Sequence, residues 1–217
     1  MPRLLAIFSL VASLACNAVT ASVRIPDPAI DSPLATAKGE QTAVIAGGCF
    51  WGIEAVFDHV KGVTGASSGY SGGAAKTAHY DKVSAGDTGH AESVQITYDP
   101  AQISYGQLLK IFFSIAHDPT QLNRQGNDVG TQYRSEIFYH NATQKEKAEY
   151  YINKLNQVKA YKNKIVTQIA PYTAFYEAKD YHQDYYDKNP DQAYCHFVIQ
   201  PEVERFRKVF KNKLKNP

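Results

Sequence analysis

Cys49 is the residue with the strongest claim to reactivity, in the segment Gly47-Gly48-Cys49-Phe50-Trp51. A short apolar run, Thr42-Ala43-Val44-Ile45-Ala46, precedes the two glycines. Phe50, Ile53, Val56 and Phe57 then recur on one face. This spacing predicts a strand, a tight turn and a helix that begins at Cys49. A thiol at a helix N-terminus meets free backbone N–H groups, which favour thiolate and can receive a developing negative oxygen. Phe50 and Trp51 would supply an apolar wall beside the sulfur. A buried structural cysteine at a strand–helix junction is the bland alternative, but it requires neither the glycine pair nor the aromatic pair.

The chain has three cysteines, Cys16, Cys49 and Cys195. Cys16 sits in an N-terminal segment that reads as a targeting signal, so Cys49 and Cys195 remain as one pair. They form either an inert disulfide closing a long loop or a redox-active couple. There is no CxxC, and no Cys/His cluster has zinc spacing. Three functions are open on these residues: a thiol oxidoreductase, a cysteine hydrolase or acyltransferase pairing Cys49 with a histidine such as His90, and a binding module stapled by Cys49–Cys195. Met1 is the only methionine, so a processed chain would hold no thioether to oxidise.

The elements that must position Cys49 are interleaved strands and helices. Strands are predicted over 42–46, 63–71, 93–98, 135–139 and 165–169. Helices are predicted over 49–58, from Ser104, over 143–156 with Asn141 or Thr143 as cap, over 181–188, and over 203–214. The last is basic and reads as a solvated face. Residues 117–134 are rich in Asp, Asn and Gly and read as a long loop, the kind that carries function. No βαβ regularity and no repeat is visible. The expected fold class is α+β: a single domain over 41–217, a mixed β-sheet with covering helices, long irregular loops and a C-terminal tail.

Beyond Cys49 the chain resembles one family in detail, the A-type peptide-methionine sulfoxide reductases. Gly47-Gly48-Cys49-Phe50-Trp51-Gly52-x-Glu54 is similar to that family's nucleophile motif. In the family's order follow Gly69-Tyr70-x-Gly72-Gly73, Tyr80-x-x-Val83, Gly86-x-Thr88-Gly89-His90-Ala91-Glu92 and His117-Asp118-Pro119-Thr120. Gln125-Gly126-x-Asp128-x-Gly130-x-Gln132-Tyr133-Arg134-Ser135 and Tyr181-His182-Gln183 complete the series. The match runs from about Thr42 to Cys195.

The resemblance implies a split βαβ, ferredoxin-like core and reduction of methionine-S-sulfoxide, free or in proteins, by a thiol. It implies Cys49 as nucleophile, Glu92 as the acid, and Tyr80 and Tyr133 as hydrogen-bond donors to the sulfoxide oxygen. Asp128 would orient Tyr133 or a site water, and Phe50 and Trp51 would cradle the substrate methyl. Burial would keep Glu92 protonated. Cys195, in Asn189-Pro190-x-x-x-Tyr194-Cys195, resembles the family's recycling cysteine on a flexible tail near 189–200. Its disulfide with Cys49 would pass to a thioredoxin-like reductant. No cysteine follows Cys195, so a second relay step is excluded. The reaction implies no cofactor and no metal, and His90, His117 and His182 are expected to be structural.

Charge adds an exclusion. Lys and Arg number 23 against 21 Asp and Glu, net +2, with 44% hydrophobic residues. That balance points to no nucleic acid and no anionic membrane as partner. A monomer is expected. Arg3, the uncharged run Leu4–Ala15 and the small residues Val19-Thr20-Ala21 read as a signal peptide over 1–21. Ser13-Leu14-Ala15-Cys16 is a second reading, a lipoprotein signal over 1–15 with Cys16 acylated. Residues 22–40 read as a flexible leader. A periplasmic or secreted protein is expected.

Overall fold

In the computed structural model, residues 25–215 are described. The signal segment and Cys16 lie outside them. In chain order the described elements are β1 (Gln41–Ala46), α1 (Phe50–Asp58), β2 (Val63–Ser71), α2 (Tyr80–Val83), β3 (Ala91–Tyr98) and α3 (Tyr105–Ile111). Then come β4 (Arg124–Gln125), β5 (Asp128–Val129), β6 (Glu136–Tyr139), α4 (Ala142–Gln157), β7 (Gln168–Pro171), β8 (Phe175–Glu177), α5 (Tyr185–Lys188) and α6 (Gln200–Val209).

Six strands form one sheet in the order β7-β6-β1-β3-β2-β8. β1 and β2 both pair antiparallel with β3, so they run parallel with β3 between them. β6 pairs antiparallel with β1 on its other side. This is the split βαβ, ferredoxin-like core in a single α+β domain, as expected from the sequence. β7 extends it in parallel beside β6, and β8 adds antiparallel to β2. β1 is central and covered on both faces, which explains its unbroken apolar run. Ala43 and Ile45 join the main core with Phe50, Ile53 and Phe57 of α1, while Val44 and Ala46 meet Ala91 and Phe138 on the opposite face.

Helix starts follow their caps. Ser104 accepts from the Gln107 N–H at 3.2 Å ahead of α3, and Asn141 accepts from the Gln144 N–H at 2.9 Å ahead of α4. Asn141 is therefore the α4 cap rather than Thr143.

Several sequence expectations are corrected. The stretch read as a flexible leader lies, over 25–40, against the domain. Ile25 is in the core, the Tyr151 hydroxyl donates to the Pro26 carbonyl at 2.7 Å, and Ala35 donates to Pro100 at 2.9 Å. Asp31 accepts from Ser104 Oγ and from the Gly106 N–H at 3.1 Å, and lies 3.7 Å from Lys147. The C-terminal tail is also packed. A π-helical turn over Cys195–Ile199 leads into α6, and Val203 and Phe206 of α6 are fully buried. The helix read over 203–214 as a solvated face thus starts earlier, ends at Val209 and buries one side. The strand read over 165–169 falls at 168–171.

Candidate active site

Cys49 is the N-cap of α1, with φ −62° and ψ 127°, and its side chain is partly exposed. The turn before it depends on its glycines. Gly48 has φ +103°, where a side chain is strained, and a Cβ on Gly47 would come within 2.8 Å of the His117 ring. His117 is fixed in turn. Its Nδ1–H donates to the Phe112 carbonyl at 3.2 Å, and its Nε2 accepts from the Ser135 hydroxyl at 2.7 Å. Burial lowers its pKa to about 4, so it stays neutral.

Glu92 comes from β3, directly opposite Tyr70 of β2. Its carboxyl is 2% exposed and accepts from the Phe50 N–H at 3.1 Å, so it reaches across to the first turn of α1. Burial raises its pKa to about 8, with Asp128 adding to the rise and the Phe50 N–H and Cys49 thiol opposing it. Glu92 is therefore mostly a neutral acid at pH 7. The thiolate expected at Cys49 from its helix position is corrected here. Burial pushes the Cys49 thiol well above its usual value, and Glu92 and Asp128 push it further. The Trp51 N–H and the Tyr194 hydroxyl lower it, but they are outweighed. In the resting site both groups hold their protons.

Tyr80 opens α2, and Tyr133 closes a 3₁₀ turn over Thr131–Tyr133. Burial raises both phenols, and Glu92 and then Cys49, when ionised, raise them further. The 117–134 loop is held by backbone carbonyls of the Gly86–Ala91 segment and its approach. Thr131 Oγ1 donates to Gly86 at 2.6 Å, Gln132 Nε2 to Ser84 at 3.0 Å, and Arg134 to Gly89 at 2.9 Å. Two motifs distant in sequence are thereby clamped together, and Tyr133 and Glu92 are delivered to one site.

Asp128 lies on β5 in that loop. It was expected to orient Tyr133 or a water, but its Oδ2 accepts from the Tyr194 hydroxyl at 2.6 Å. Tyr194 is the site residue that sequence reasoning missed. It stood in the Asn189-Pro190-x-x-x-Tyr194-Cys195 match without a role of its own, since a tyrosine among 15 carries little information.

Phe50 is fully buried, and Trp51 is stacked on Tyr185 with centroids 3.7 Å apart and planes at 7°. His182 stands among Phe50, Trp51, Tyr80 and Tyr181, at 5.1, 5.7, 4.6 and 4.3 Å. Burial lowers its pKa, and neither ring nitrogen has a hydrogen-bond partner among the described residues. It is an aromatic spacer between the Phe50–Trp51 pair and Tyr80. His90 bonds only locally, accepting from the Gly73 N–H at 3.3 Å and donating to the Ala74 carbonyl at 3.1 Å. Beyond Tyr80 a cleft of about 460 Å³ is walled by Tyr70, Phe175, Tyr176, Tyr181 and His182.

Cys195 is fully buried and in no disulfide among the described residues, and burial raises its thiol pKa. The flexible recycling tail is thus corrected to a packed helical turn.

A thiol and a neutral carboxylic acid at one helix N-terminus, with a second free thiol in the packed C-terminal turn, fit a thiol-dependent oxidoreductase. Comparison with known proteins narrows the class. The family model for peptide methionine sulfoxide reductase matches residues 41–214. Peptide methionine sulfoxide reductase MsrA 2 of Synechocystis is 52% identical over 193 residues, covering 88% of this chain and 90% of that protein. The MsrA of Sulfolobus acidocaldarius is 54% identical over 173 residues, covering 80% and 97%. Among solved structures, reduced Mxr1 of Saccharomyces cerevisiae superposes with a TM-score of 0.64 at 37% identity, covering 75% of this chain and 92% of that one. Methionine sulfoxide reductase A of Corynebacterium diphtheriae gives 0.60 at 38%, covering 70% and 76%. The chain belongs to the peptide methionine sulfoxide reductase family, and its activity is that of a peptide-methionine (S)-S-oxide reductase.

Proposed function

We propose that Cys49 reduces methionine-S-sulfoxide with Glu92 as proton donor, and that Cys195 then recycles it. The observation that carries this reading is the buried Glu92 carboxyl, raised to about 8 and within reach of the Cys49 thiol. A sulfoxide sulfur becomes electrophilic when its oxygen takes a proton or strong hydrogen bonds. Glu92 gives its proton to the oxygen, and Tyr80 and Tyr133 donate hydrogen bonds to it. Cys49 sulfur bonds to that oxygenated sulfur centre, and its thiol proton passes to Glu92. The hydroxyl then passes to the Cys49 sulfur as its bond to the methionine sulfur breaks, the bond between the two sulfurs breaks with its electron pair going to methionine, and Cys49 sulfenic acid and the free thioether result. Phe50 and Trp51 hold the methyl on the side away from the donors, which selects one epimer.

Cys195 thiol then attacks the Cys49 sulfenic acid. A disulfide forms and one water leaves. Two thiols of a thioredoxin-like donor reduce that disulfide and become a disulfide themselves. The cleft beside Tyr80 has room for the polypeptide flanking an oxidised methionine. The signal-like residues 1–21 support a periplasmic or secreted site of action, where repair of oxidised proteins would use a donor outside the cytoplasm.

The test is turnover of each methionine sulfoxide epimer by the reduced protein, counting methionine formed and thiols lost. Turnover of the S-epimer alone is expected. Equal turnover of both, or of neither, overturns the reading.

A further inference from the structure

On the side of α1 that faces α5, three carboxylates converge. Glu54, Asp58 and Asp184 each offer one oxygen, and these oxygens lie within 4.8 Å of one another. Oxygens sharing one Ca²⁺ at about 2.3–2.6 Å can be at most about 5 Å apart, so the spacing suits a common hard cation. The acids are held in place from three directions. Glu54 and Asp58 are one turn apart on α1. Glu54 Oε2 accepts from the Ser68 hydroxyl of β2 at 3.0 Å. Gln183 bonds both backbone groups of Ser68, at 2.9 Å each, and so sets the position of Asp184, the next residue.

A cluster of acids on a surface needs no ion, but Glu54 is different. It is 1% exposed, and its Oε1 is buried with no hydrogen-bond partner among the described residues. A buried carboxylate oxygen without a partner is costly. The Asp184 backbone N–H and the Ser68 hydroxyl act on Glu54 as hydrogen-bond donors, but its burial outweighs them. Lys188 Nζ lies 3.1 Å from Asp184 Oδ2 on the exposed side, Lys215 acts on Asp58, and Asp187 adds a further negative charge. Burial first, and then the neighbouring acids, raise Glu54 to about 7 and Asp58 to about 6, so their joint ionisation is opposed.

We propose that Glu54, Asp58 and Asp184 form a binding site for a hard divalent cation, Ca²⁺ in the first place, with water completing its shell at the exposed Asp184 edge. All donors are oxygens, which disfavours soft thiolate-seeking metals. The site lies outside the redox chemistry, and no step of that chemistry passes through it. It does join two elements of the active site. α1 starts at Cys49 and Trp51, and Asp184 leads into α5, whose Tyr185 stacks on Trp51. An ion bound by both helices would hold that stack closed.

The test uses the full, reduced chain after chelator treatment and dialysis, with CaCl₂ added as the probe. MgCl₂ and MnCl₂ serve as parallel arms, and NaCl at matched ionic strength is the control. A saturable rise in Tm is expected, about 3–6 °C at ten times Kd, reversed by chelator. Emission of Trp51, the sole tryptophan, should follow the same binding curve. Asp184→Asn should abolish both responses. Asn tolerates the left-handed backbone of that residue, φ 53° and ψ 32°, so the variant should fold. Glu54→Gln should abolish them too. No divalent response in the wild-type chain overturns the proposal, as does an undiminished response in Asp184→Asn. A Glu54→Gln variant with raised Tm, beside a wild-type chain indifferent to the ions, would show the orphan oxygen to be a shared proton site instead.

Discussion

The Tyr194 hydroxyl donates to Asp128 at 2.6 Å, and this bond ties the segment that carries the recycling cysteine to the loop that carries Tyr133. Tyr194 also lies against Trp51 edge-on, with centroids 6.1 Å apart. Cys195, the next residue, lies in the buried turn. A hydrogen bond to a charged acceptor contributes about 1.5–3 kcal/mol. Tyr194→Phe should therefore expose Cys195 more often. In a Cys49→Ser background, alkylation of Cys195 should speed up about tenfold or more, with the circular dichroism spectrum unchanged.

Glu92 links activity to pH. Its carboxyl titrates near 4.5 when exposed and at about 8 in the fold. The donor is lost as pH rises through about 8, so the single-turnover rate should fall above that value. Glu92→Gln keeps an acceptor for the Phe50 N–H but has no acidic proton. Its single-turnover rate should drop about 10²–10³-fold.

The same shift acts on stability with a definite sign. Between pH 4.5 and about 8 the unfolded chain has lost a proton that the native protein keeps. Native stability from this group is thus lost as pH rises across that window. Glu92→Gln should melt higher than wild type at pH 8, and the difference should vanish towards pH 4. Thermal melts at several pH values would check it.

Disulfide formation should open the Cys195–Ile199 turn, because Cys195 is fully buried in the reduced protein. After one equivalent of methionine-S-sulfoxide, backbone amides over 194–199 should exchange faster with solvent than in the reduced state. Cys195→Ser should release about one methionine per enzyme and stop when small thiols are absent. In that variant the amides should stay protected.

Asp31 predicts a stability effect with no effect on catalysis. It places a carboxylate at the N-terminus of α3, where Ser104 and the Gly106 N–H donate to it, and Lys147 lies 3.7 Å away. Negative charge there is favourable. Asp31→Ala should destabilise the fold by about 1–2 kcal/mol in urea unfolding, leaving kcat/KM for free methionine sulfoxide unchanged.

The central elements were legible because their signals are local. The apolar run of β1, the 3.6-residue period of α1 and the caps of α3 and α4 each follow from a few adjacent residues. The ends of the chain were less legible. Residues 25–40 lack any period because they hold on through isolated contacts such as Asp31 and Tyr151–Pro26, and the polar composition of α6 hides the buried Val203 and Phe206. β8 is only three residues long and exists as an edge beside β2, so no pattern announces it.

The sequence by itself determined the reaction class and put forward candidates for the site: Cys49, Glu92, Tyr80, Tyr133, Asp128 and Cys195 stand in ordered motifs whose residue types suit sulfoxide reduction. It could not determine their protonation or their partners. The protonation of Cys49 depends on burial and on two carboxyls from β3 and β5 brought against one helix end, a sum of long-range terms that no local motif contains. The partner of Asp128 likewise depends on a packed C-terminal turn that sets Tyr194, 66 residues away in sequence, against its carboxylate. Tertiary packing alone decided that Cys49 rests as a thiol and that Cys195 waits inside the core.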